Sequence, residues 1–443
     1  MSLTTPAPGP DPAAASAPPD RDRAVDVARI AALLVVMFGH CALLLATIDR
    51  TGLRIGNILG ELPALAPITW VVQVMPLFFL AGGAAGAYGW HADRRWGTWL
   101  FTRAQRLCRP AFWYLAAWSV GVAVVGLVLG ADSAADIGRE AVALLWFLGV
   151  YLVALAFVPL LTRLRSLGAV VAVLVGLLAV TAALDALRLA VDDPQLAVAT
   201  FLTVWLIPMT VGVAYARRLI GVRVALGAAA AALAAQVLLA VVGPYQVSLV
   251  VTGTDLMSNV SPPTLLLGLH CTWMSMAFVA AAGPIRRWAA RPRVWRAVVV
   301  GNGGAMTLYL WHIPAIAVAT FALHAVGLDA YDVTAADFWP MLALRALVFA
   351  VVMAVLFRVL SPLEHRRLPW WDSAPRATGV WAATAGALVC VAGVALVLLA
   401  KNGLTGVDGW TTLACFVASA AAARVSAGID ARASLAEPVG GSR

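Results

Sequence analysis

The chain has 443 residues, of which 62% are hydrophobic and 12% are charged, whereas an average soluble domain carries about 25% charged residues. A mean hydropathy of +0.89 excludes an ordinary soluble globular protein and predicts a protein embedded in a membrane. The net charge of +9 does not indicate nucleic acid as a partner, because almost every basic residue is an arginine in a short cluster between apolar runs.

The N-terminal segment does not resemble a secretory signal peptide, and the cysteines do not follow a disulfide or metal-binding pattern. Residues 1–25 are rich in Pro and Ala and lack the apolar stretch of a secretory signal peptide, so we expect a disordered cytosolic tail. The cysteines are scattered without a Cys-x-x-Cys pair, and we expect neither a disulfide framework nor a metal site. They are Cys41, Cys108, Cys271, Cys390 and Cys415.

Eleven apolar runs approach or exceed the roughly 20 residues that a helix needs to cross a bilayer. They predict an all-α fold, a polytopic transmembrane helical bundle of about 11 spans (10–12), within a domain over residues 26–400. The runs cover residues 27–48, 67–89, 110–130, 141–161, 168–187, 196–216, 224–243, 264–282, 297–322, 339–360 and 379–400. In the C-terminal segment 401–443, the short Ala-rich run 409–423 would add at most one weak further span.

The loops between these runs predict the orientation. With the N-terminus in the cytoplasm, the even-numbered loops hold eighteen basic residues and the odd-numbered loops hold five. Basic residues accumulate in cytoplasmic loops. The sequence therefore predicts a multi-pass protein of the cell membrane with a cytoplasmic N-terminus and the lipid bilayer as its surroundings.

The first span carries ionisable residues that a membrane helix holds only for a reason. Arg29 and His40 are eleven residues apart, which places them within roughly 20° of one helix face and roughly 16 Å apart along the axis. Asp26 lies near the same face. Such groups usually point into the protein or a wet cavity and mark function. The alternative for each residue alone is that Arg29 anchors the helix at the lipid headgroups and His40 is a hydrogen-bonded core histidine.

Three further ionisable residues lie in the outer halves of later spans. They are His270 in the eighth, His312 in the ninth and Arg345 in the tenth. Histidine can exchange a proton near neutral pH, which the activation of a hydroxyl requires. For His270 we favour a core histidine, whereas for His312 the structural and the functional interpretations stay open.

The loop before the third run spaces Arg103, Arg106 and Arg109 three residues apart, which on a helix predicts one basic face at the cytosolic surface. Arginine suits phosphate and carboxylate binding. The face is interpreted either as a topology signal or as a cradle for a phosphate-rich donor such as coenzyme A. Pro110 is expected to begin the third helix.

The loop before the eighth run ends in Ser258, Asn259 and Ser261, followed by two prolines. A plain helix cap explains much of this pattern, and a lining for an acceptor hydroxyl is the alternative. No Gly-x-Ser-x-Gly, His-Glu-x-x-His or Gly-rich phosphate loop is present.

Taken in order, these motifs resemble the membrane-bound acyltransferase-3 family. The family's first helix reads Asp-Gly-Leu-Arg and ends in Gly-His, as Asp26 to Arg29 and Gly39-His40 do here. Further motifs of the family resemble the Phe-Phe run within 75–87, the arginines that end in Arg109-Pro110, the LWFL run 145–148 and the run 307–312. Many members have Ser where Ala81 precedes Gly82, so a substrate role for that serine would be absent or replaced here.

The resemblance implies a bacterial integral-membrane O-acyltransferase. Acyl-CoA would be the donor, with no other cofactor, and the acceptor would be a hydroxyl of a sugar, glycan, lipid or small metabolite. His40 would be the general base, with Arg29 and Asp26 beside it. Arg103, Arg106 and Arg109 would bind the donor, and the acceptor side would hold His312, Asn259 and Arg345.

Two other classes remain open from the residues alone. A transporter or flippase would use the polar axis of the first helix as a solute pathway, but such proteins often show related halves and broken helices, and neither is evident. A structural scaffold would leave the arginine and the histidine inside the membrane unexplained.

Overall fold

The computed structural model describes residues 22–49, 52–191, 193–253 and 257–429, and it is dominated by helices. These residues contain twelve helices or helical segments that are long and apolar enough to cross a membrane. The predicted bundle of about eleven spans is confirmed. The twelfth span, which the sequence left open, belongs to a helix of 23 residues, Gly406–Gly428. Residues 1–21 of the predicted tail lie outside the described residues.

The described elements follow one another as mostly long helices. The helices are α1 Arg23–Leu43, α2 Ile58–Glu61, α3 Thr69–Val72, α4 Met75–Tyr88, α5 Trp96–Leu129, α6 Ala131–Val142, α7 Leu145–Leu155, α8 Val158–Leu161, α9 Leu167–Val191, α10 Thr200–Ala216, α11 Val222–Val242, α12 Leu265–Ala289, α13 Pro292–Gly303, α14 Ala305–His324, α15 Phe338–His365, α16 Gly379–Asn402 and α17 Gly406–Gly428. Two 3₁₀ turns, Pro63–Ile68 and Pro194–Ala197, precede α3 and α10.

Helix α1 starts earlier and ends earlier than the apolar run indicated. The Asp22 carboxylate accepts a hydrogen bond from the Ala24 amide at 2.9 Å and caps the helix, so helix rather than tail begins at Arg23. After Leu43 the chain turns into an antiparallel hairpin of β1 (Leu44–Asp49) and β2 (Gly52–Asn57). The apolar run to residue 48 therefore includes a strand, because apolar composition alone does not separate a helix end from a buried strand.

Pro110 does not begin the third span. It lies inside α5, a continuous helix of 34 residues that already includes the three arginines of the loop. Proline is tolerated inside membrane helices, where local adjustments and neighbouring groups make up for the missing hydrogen bond. The prediction of a helix start at Pro110 was wrong because the polar first part of α5 was assigned to a loop.

Small residues let the helices at the centre of the bundle approach closely. A Cβ atom at Gly83 of α4 would lie 2.2 Å from the Met209 carbonyl oxygen of α10, and one at Gly212 would lie 2.0 Å from the Leu80 carbonyl oxygen. Small residues at helix interfaces are typical of membrane proteins, which lack a hydrophobic driving force between helices. Helix α1 packs beside this pair, against α4, α12 and α14.

The described residues before α12, 244–253 and 257–264, are held by polar contacts. The Asp185 carboxylate of α9 accepts hydrogen bonds from the Tyr245 hydroxyl at 2.9 Å and from the Leu265 amide at 2.6 Å. Burial, followed by the nearby Asp185 charge, raises the pKa of Tyr245 above its ordinary value, so its hydroxyl remains a donor. The cap of α12 is Thr264, whose hydroxyl accepts a hydrogen bond from the Leu267 amide at 3.3 Å.

Candidate functional site

Two histidines from helices far apart in the chain meet inside the bundle. Helices α1 and α14 pack together, and the Nδ1 atom of His40 lies 2.9 Å from the Nε2 atom of His312. The Nδ1 atom of His312 lies 2.7 Å from the Tyr309 carbonyl oxygen, one turn earlier in α14. The His312 side chain is fully buried, whereas His40 keeps part of its surface exposed.

These two contacts determine which nitrogens carry protons. A carbonyl oxygen only accepts, so His312 Nδ1 must donate to Tyr309. In a neutral imidazole the other nitrogen, Nε2, then accepts, and the donor that faces it is the Nδ1–H of His40. By the same rule the Nε2 atom of His40 holds a lone pair. The arrangement therefore leaves one basic nitrogen, His40 Nε2, without a donor from the pair.

The charged pair at the start of α1 lies below the histidines. The Asp26 carboxylate is buried and lies 3.4 Å from the Arg29 guanidinium. Asn302 of α13 donates to the Asp26 carbonyl oxygen at 3.0 Å. The helix spacing places this pair on the same side of α1 as His40, about 21 Å from Asp26 to His40 along the axis.

Tyr151 of α7 lies near the start of α1, where Arg29 is. Its hydroxyl is within electrostatic range of both Arg29 and Arg103. A Cβ atom at Gly82 would lie 2.5 Å from the Tyr151 hydroxyl oxygen, so any larger residue there would have to displace the phenol ring. At the position where the family motif has glycine, the structure thus places a phenol against the backbone of α4. Tyr151 was missed from sequence, since it lies in an apolar run without a local signal.

The three arginines of α5 do not point at one place. Arg103 stacks on the Trp99 ring, 3.8 Å from its centre, and lies towards Tyr151. Arg109 forms an ion pair with Asp372 at 3.1 Å and donates through Nε to the Glu364 carbonyl oxygen at 3.0 Å. Arg106 is exposed. The expectation of one basic face was therefore too coarse.

A cavity of about 730 Å³ opens on the side of the bundle where α1 begins. Arg106 and Arg109 line it, whereas Arg103 does not. Asn302, which holds the first turn of α1, is part of its wall. The lining also contains Glu364, His365, Arg367 and Asp372.

The two acids of the cavity are already committed within the protein. The Glu364 carboxylate accepts from the Thr307 amide at 2.9 Å and from the Thr307 hydroxyl at 2.8 Å, at the start of α14. Asp372 neutralises Arg109. In the sequence, Arg367 counts only among the basic loop residues that predict the orientation, and no motif singles out Glu364 or Asp372.

Arg345 lies at the other end of α1. It is almost completely buried, and its Nη2 atom donates to the Cys41 and Leu44 carbonyl oxygens at 2.8 and 2.7 Å. It thus caps the C-terminal end of α1, which lies three residues after His40. Its Nε and Nη1 atoms make no hydrogen bond within the described residues.

Asn259 and His270 make contacts of a structural kind. The Asn259 amide group donates to the Gln246 and Ser248 carbonyl oxygens at 2.7 Å each, and its oxygen accepts from Thr264. His270 contacts the Gln73 carbonyl oxygen through Nε2 at 2.7 Å. Neither side chain hydrogen-bonds to the histidine pair. In the described part of the chain, no group of three or more His, Cys, Asp or Glu side chains could hold a metal ion.

Comparison with known proteins identifies the family. A family model described as an acyltransferase domain matches residues 22–360, which is more than half of the chain and includes both histidines and the α5 arginines. No curated protein and no solved structure matches the chain. The match begins at the residue that caps α1 and ends inside α15. The chain therefore belongs to the acyltransferase-3 family, and it is a multi-pass membrane acyltransferase.

Proposed function

We propose that the protein is an O-acyltransferase that moves an acyl group from cytosolic acyl-CoA to a hydroxyl, with His40 as general base. The observation that carries the proposal is the histidine pair, which leaves the Nε2 lone pair of His40 available inside the membrane. A positioned imidazole that accepts a proton in the transition state typically accelerates transfer 10²–10⁴-fold.

The transfer balances with this one base. The acceptor hydroxyl gives its proton to His40 Nε2 while its oxygen bonds to the thioester carbonyl carbon. The carbon–sulfur bond then breaks, and the leaving thiolate takes the proton back from His40. The products are an ester and free coenzyme A.

His312 supports this cycle without touching the substrate. Both of its ring nitrogens are occupied, one by Tyr309 and one by His40. It therefore orients the His40 ring and holds its proton on Nδ1. When His40 becomes an imidazolium, the hydrogen bond to His312 becomes charge-assisted and stronger. We assign His312 to positioning rather than to acceptor binding.

The spacing of the two polar regions suits the donor. The pantetheine arm of coenzyme A extends on the order of 15–20 Å, from ordinary bond lengths. A thioester at His40 would then place the phosphates near the start of α1, where Arg29, Arg103 and Tyr151 lie and the basic cavity opens. Arg106 would contact the donor directly, whereas Arg109 supports the cavity wall. Asp26 would hold Arg29 in place.

The acceptor would approach from the opposite side, where α1 ends. Arg345 fixes this end of the helix and so the height of His40, and Asn259 ties the backbone at residues 246 and 248 to the start of α12. The acceptor is a hydroxyl compound of the classes that the family uses: a sugar, a glycan, a lipid or a small metabolite.

Release of free thiol tests the reaction class. Purified protein is mixed with acyl-CoA donors and a panel of hydroxyl acceptors, and coenzyme A is measured with a thiol reagent. We expect thiol release that depends on acceptor, and a loss of at least 100-fold in His40→Ala, which should still elute as a single species. Movement of a solute into vesicles without thiol release would instead identify a transporter, and near-normal turnover in His40→Ala would remove His40 from the mechanism.

A further inference from the structure

The cavity on the side where α1 begins is built partly by a segment outside the matched family region. The match ends at residue 360, whereas Glu364, His365, Arg367 and Asp372 of the wall follow it. They lie at the end of α15 and in the loop that leads to α16. This part of the wall therefore lies outside the matched domain.

The loop is held firmly against α5 and α17. The Trp371 indole donates to the Gln105 carbonyl oxygen at 3.0 Å, and the Gln105 amide donates back to the Trp371 carbonyl oxygen at 2.5 Å. Arg424 of α17 donates to the Trp370 carbonyl oxygen at 2.6 Å. Asp372 holds the loop from inside by accepting from the Leu368 amide at 2.8 Å. These contacts hold the loop backbone, from which the Arg367 side chain extends, in a prearranged position.

Two guanidinium groups of the cavity lining have no carboxylate partner within the described residues and could bind an anion. Both carboxylates in the lining are used elsewhere, Glu364 at the start of α14 and Asp372 by Arg109. Within the described residues, neither Arg106 nor Arg367 is paired with a carboxylate, and both are exposed. With three arginines and two carboxylates in its lining, the cavity has a formal net charge of +1, and its two unpaired guanidinium groups come from α5 and from the 366–376 loop.

We propose that Arg106 and Arg367 form a clamp for a phosphate of the donor's nucleotide end. This inference rests on the proposed function, and it specifies that the chain recognises the nucleotide end of the donor. Guanidinium groups bind phosphate oxygens through paired charge-assisted hydrogen bonds. The clamp selects a thioester that carries a nucleotide over one that carries pantetheine alone, and the 366–376 loop supplies one of its two arginines.

Binding measurements with matched variants test the clamp. Arg367→Gln and Arg106→Gln are compared with Arg366→Gln and Arg376→Gln, which remove the same charge from exposed positions of the same loop that do not line the cavity. The probes are coenzyme A and adenosine 3′,5′-bisphosphate, titrated calorimetrically into purified protein at moderate salt. We expect each cavity variant to bind both probes about tenfold or more weakly, and each control to stay within about twofold of the parent protein.

The outcomes separate the clamp from the reaction. If Arg367→Gln binds both probes like Arg366→Gln while acceptor-dependent thiol release continues with an unchanged KM, the clamp is overturned and the proposed function stands. If the bisphosphate is lost in Arg367→Gln but the parent protein releases no thiol from any acyl-CoA, the clamp stands and the proposed function fails. Absence of binding of either probe to the parent protein would overturn the clamp outright.

Discussion

At the residue scale, the proposed mechanism depends on a single lone pair, that of His40 Nε2. His40 could carry its proton on either nitrogen, and only one choice leaves a base for a substrate. Its neighbour His312 makes that choice because its own Nδ1 is committed to the Tyr309 carbonyl oxygen at 2.7 Å. The Tyr309 carbonyl oxygen thereby determines the tautomer of His312, and His312 in turn determines which nitrogen of His40 can accept a proton.

Replacing His312 by Leu should lower kcat while leaving the donor KM unchanged. Without His312 the His40 Nδ1–H loses its acceptor, so the ring can rotate or adopt the other tautomer. Loss of a residue that holds the tautomer of a catalytic histidine can reduce turnover roughly 10²-fold or more. The measurement is steady-state thiol release over a range of acyl-CoA concentrations.

The control for this prediction is His270→Leu, which removes another buried histidine of the bundle. A drop in kcat shared by both variants would indicate a general packing defect. A His312→Leu protein with normal kcat would contradict the tautomer argument, even if His40 remained essential.

Sequence alone predicted local relations between residues and missed distant ones. Asp26, Arg29 and His40 lie on one helix, so their common face follows from the 3.6-residue period. The contact of His40 with His312 joins residues 272 apart in the chain and depends on how α1 packs against α14. No periodic signal in either helix contains that information, and the same holds for Tyr151 and Gly82.

At the element scale, helix α5 shows why three arginines with a spacing of three do not form one face. Each step of three residues turns the helix by about 300°, so Arg103 and Arg109 differ by about 120° in direction. Arg103 accordingly lies on Trp99, whereas Arg109 reaches Asp372 and Glu364. The sequence shows the spacing of the arginines, but it does not show which residues they contact.

This divergence predicts different effects for two neighbouring arginines. Arg109→Gln should lower the melting temperature, because it removes the ion pair with Asp372 and the hydrogen bond to the Glu364 carbonyl oxygen. Hydrogen bonds to charged groups contribute roughly 1.5–3 kcal/mol each. Arg106→Gln removes an exposed side chain and should leave the melting temperature unchanged. Thermal unfolding of both variants in the same detergent compares them, and equal shifts would contradict the division of roles.

Helix α16 lies beyond the matched family region but packs as part of the bundle. A Cβ atom at Gly149 of α7 would lie 2.3 Å from the Gly393 carbonyl oxygen of α16. A Cβ atom at Gly97 of α5 would lie 1.6 Å from the Ala382 carbonyl oxygen. Because these obstacles are backbone atoms, no side-chain rotation can relieve them. The glycines therefore fix the position of α16 and of the cavity wall that precedes it.

Gly97→Ala should destabilise the protein and weaken donor binding together. The added methyl group must push α16 away, and overpacking of this kind costs about 1–3 kcal/mol. Gly176→Ala in α9 is the matched control, since a Cβ atom there meets nothing within 4 Å. Melting temperature and coenzyme A affinity are measured for both. A Gly97→Ala protein as stable as Gly176→Ala would show that α16 is not held by this contact.

At the scale of the whole molecule, the polar groups form an axis inside an apolar bundle. The basic cavity and the Asp26–Arg29 pair lie where α1 begins, the histidine pair lies near its other end, and Arg345 caps that end. A donor from one side and an acceptor from the other would meet at His40. The direction of this axis across the membrane decides which compartment supplies each substrate, and it rests on the asymmetry of basic residues between the loops.

Cysteine labelling tests that direction. In a protein with its native cysteines replaced, Val247→Cys lies in the segment before α12, and Ala92→Cys lies in the loop before α5. With eighteen basic residues in the loops on one side and five on the other, we expect the Ala92 side to be cytoplasmic. A membrane-impermeant maleimide should then label Val247→Cys in intact cells and Ala92→Cys only after permeabilisation. The opposite pattern would place the basic cavity outside, away from cytosolic acyl-CoA, and would remove the donor side of the proposed reaction while leaving the histidine pair as it is.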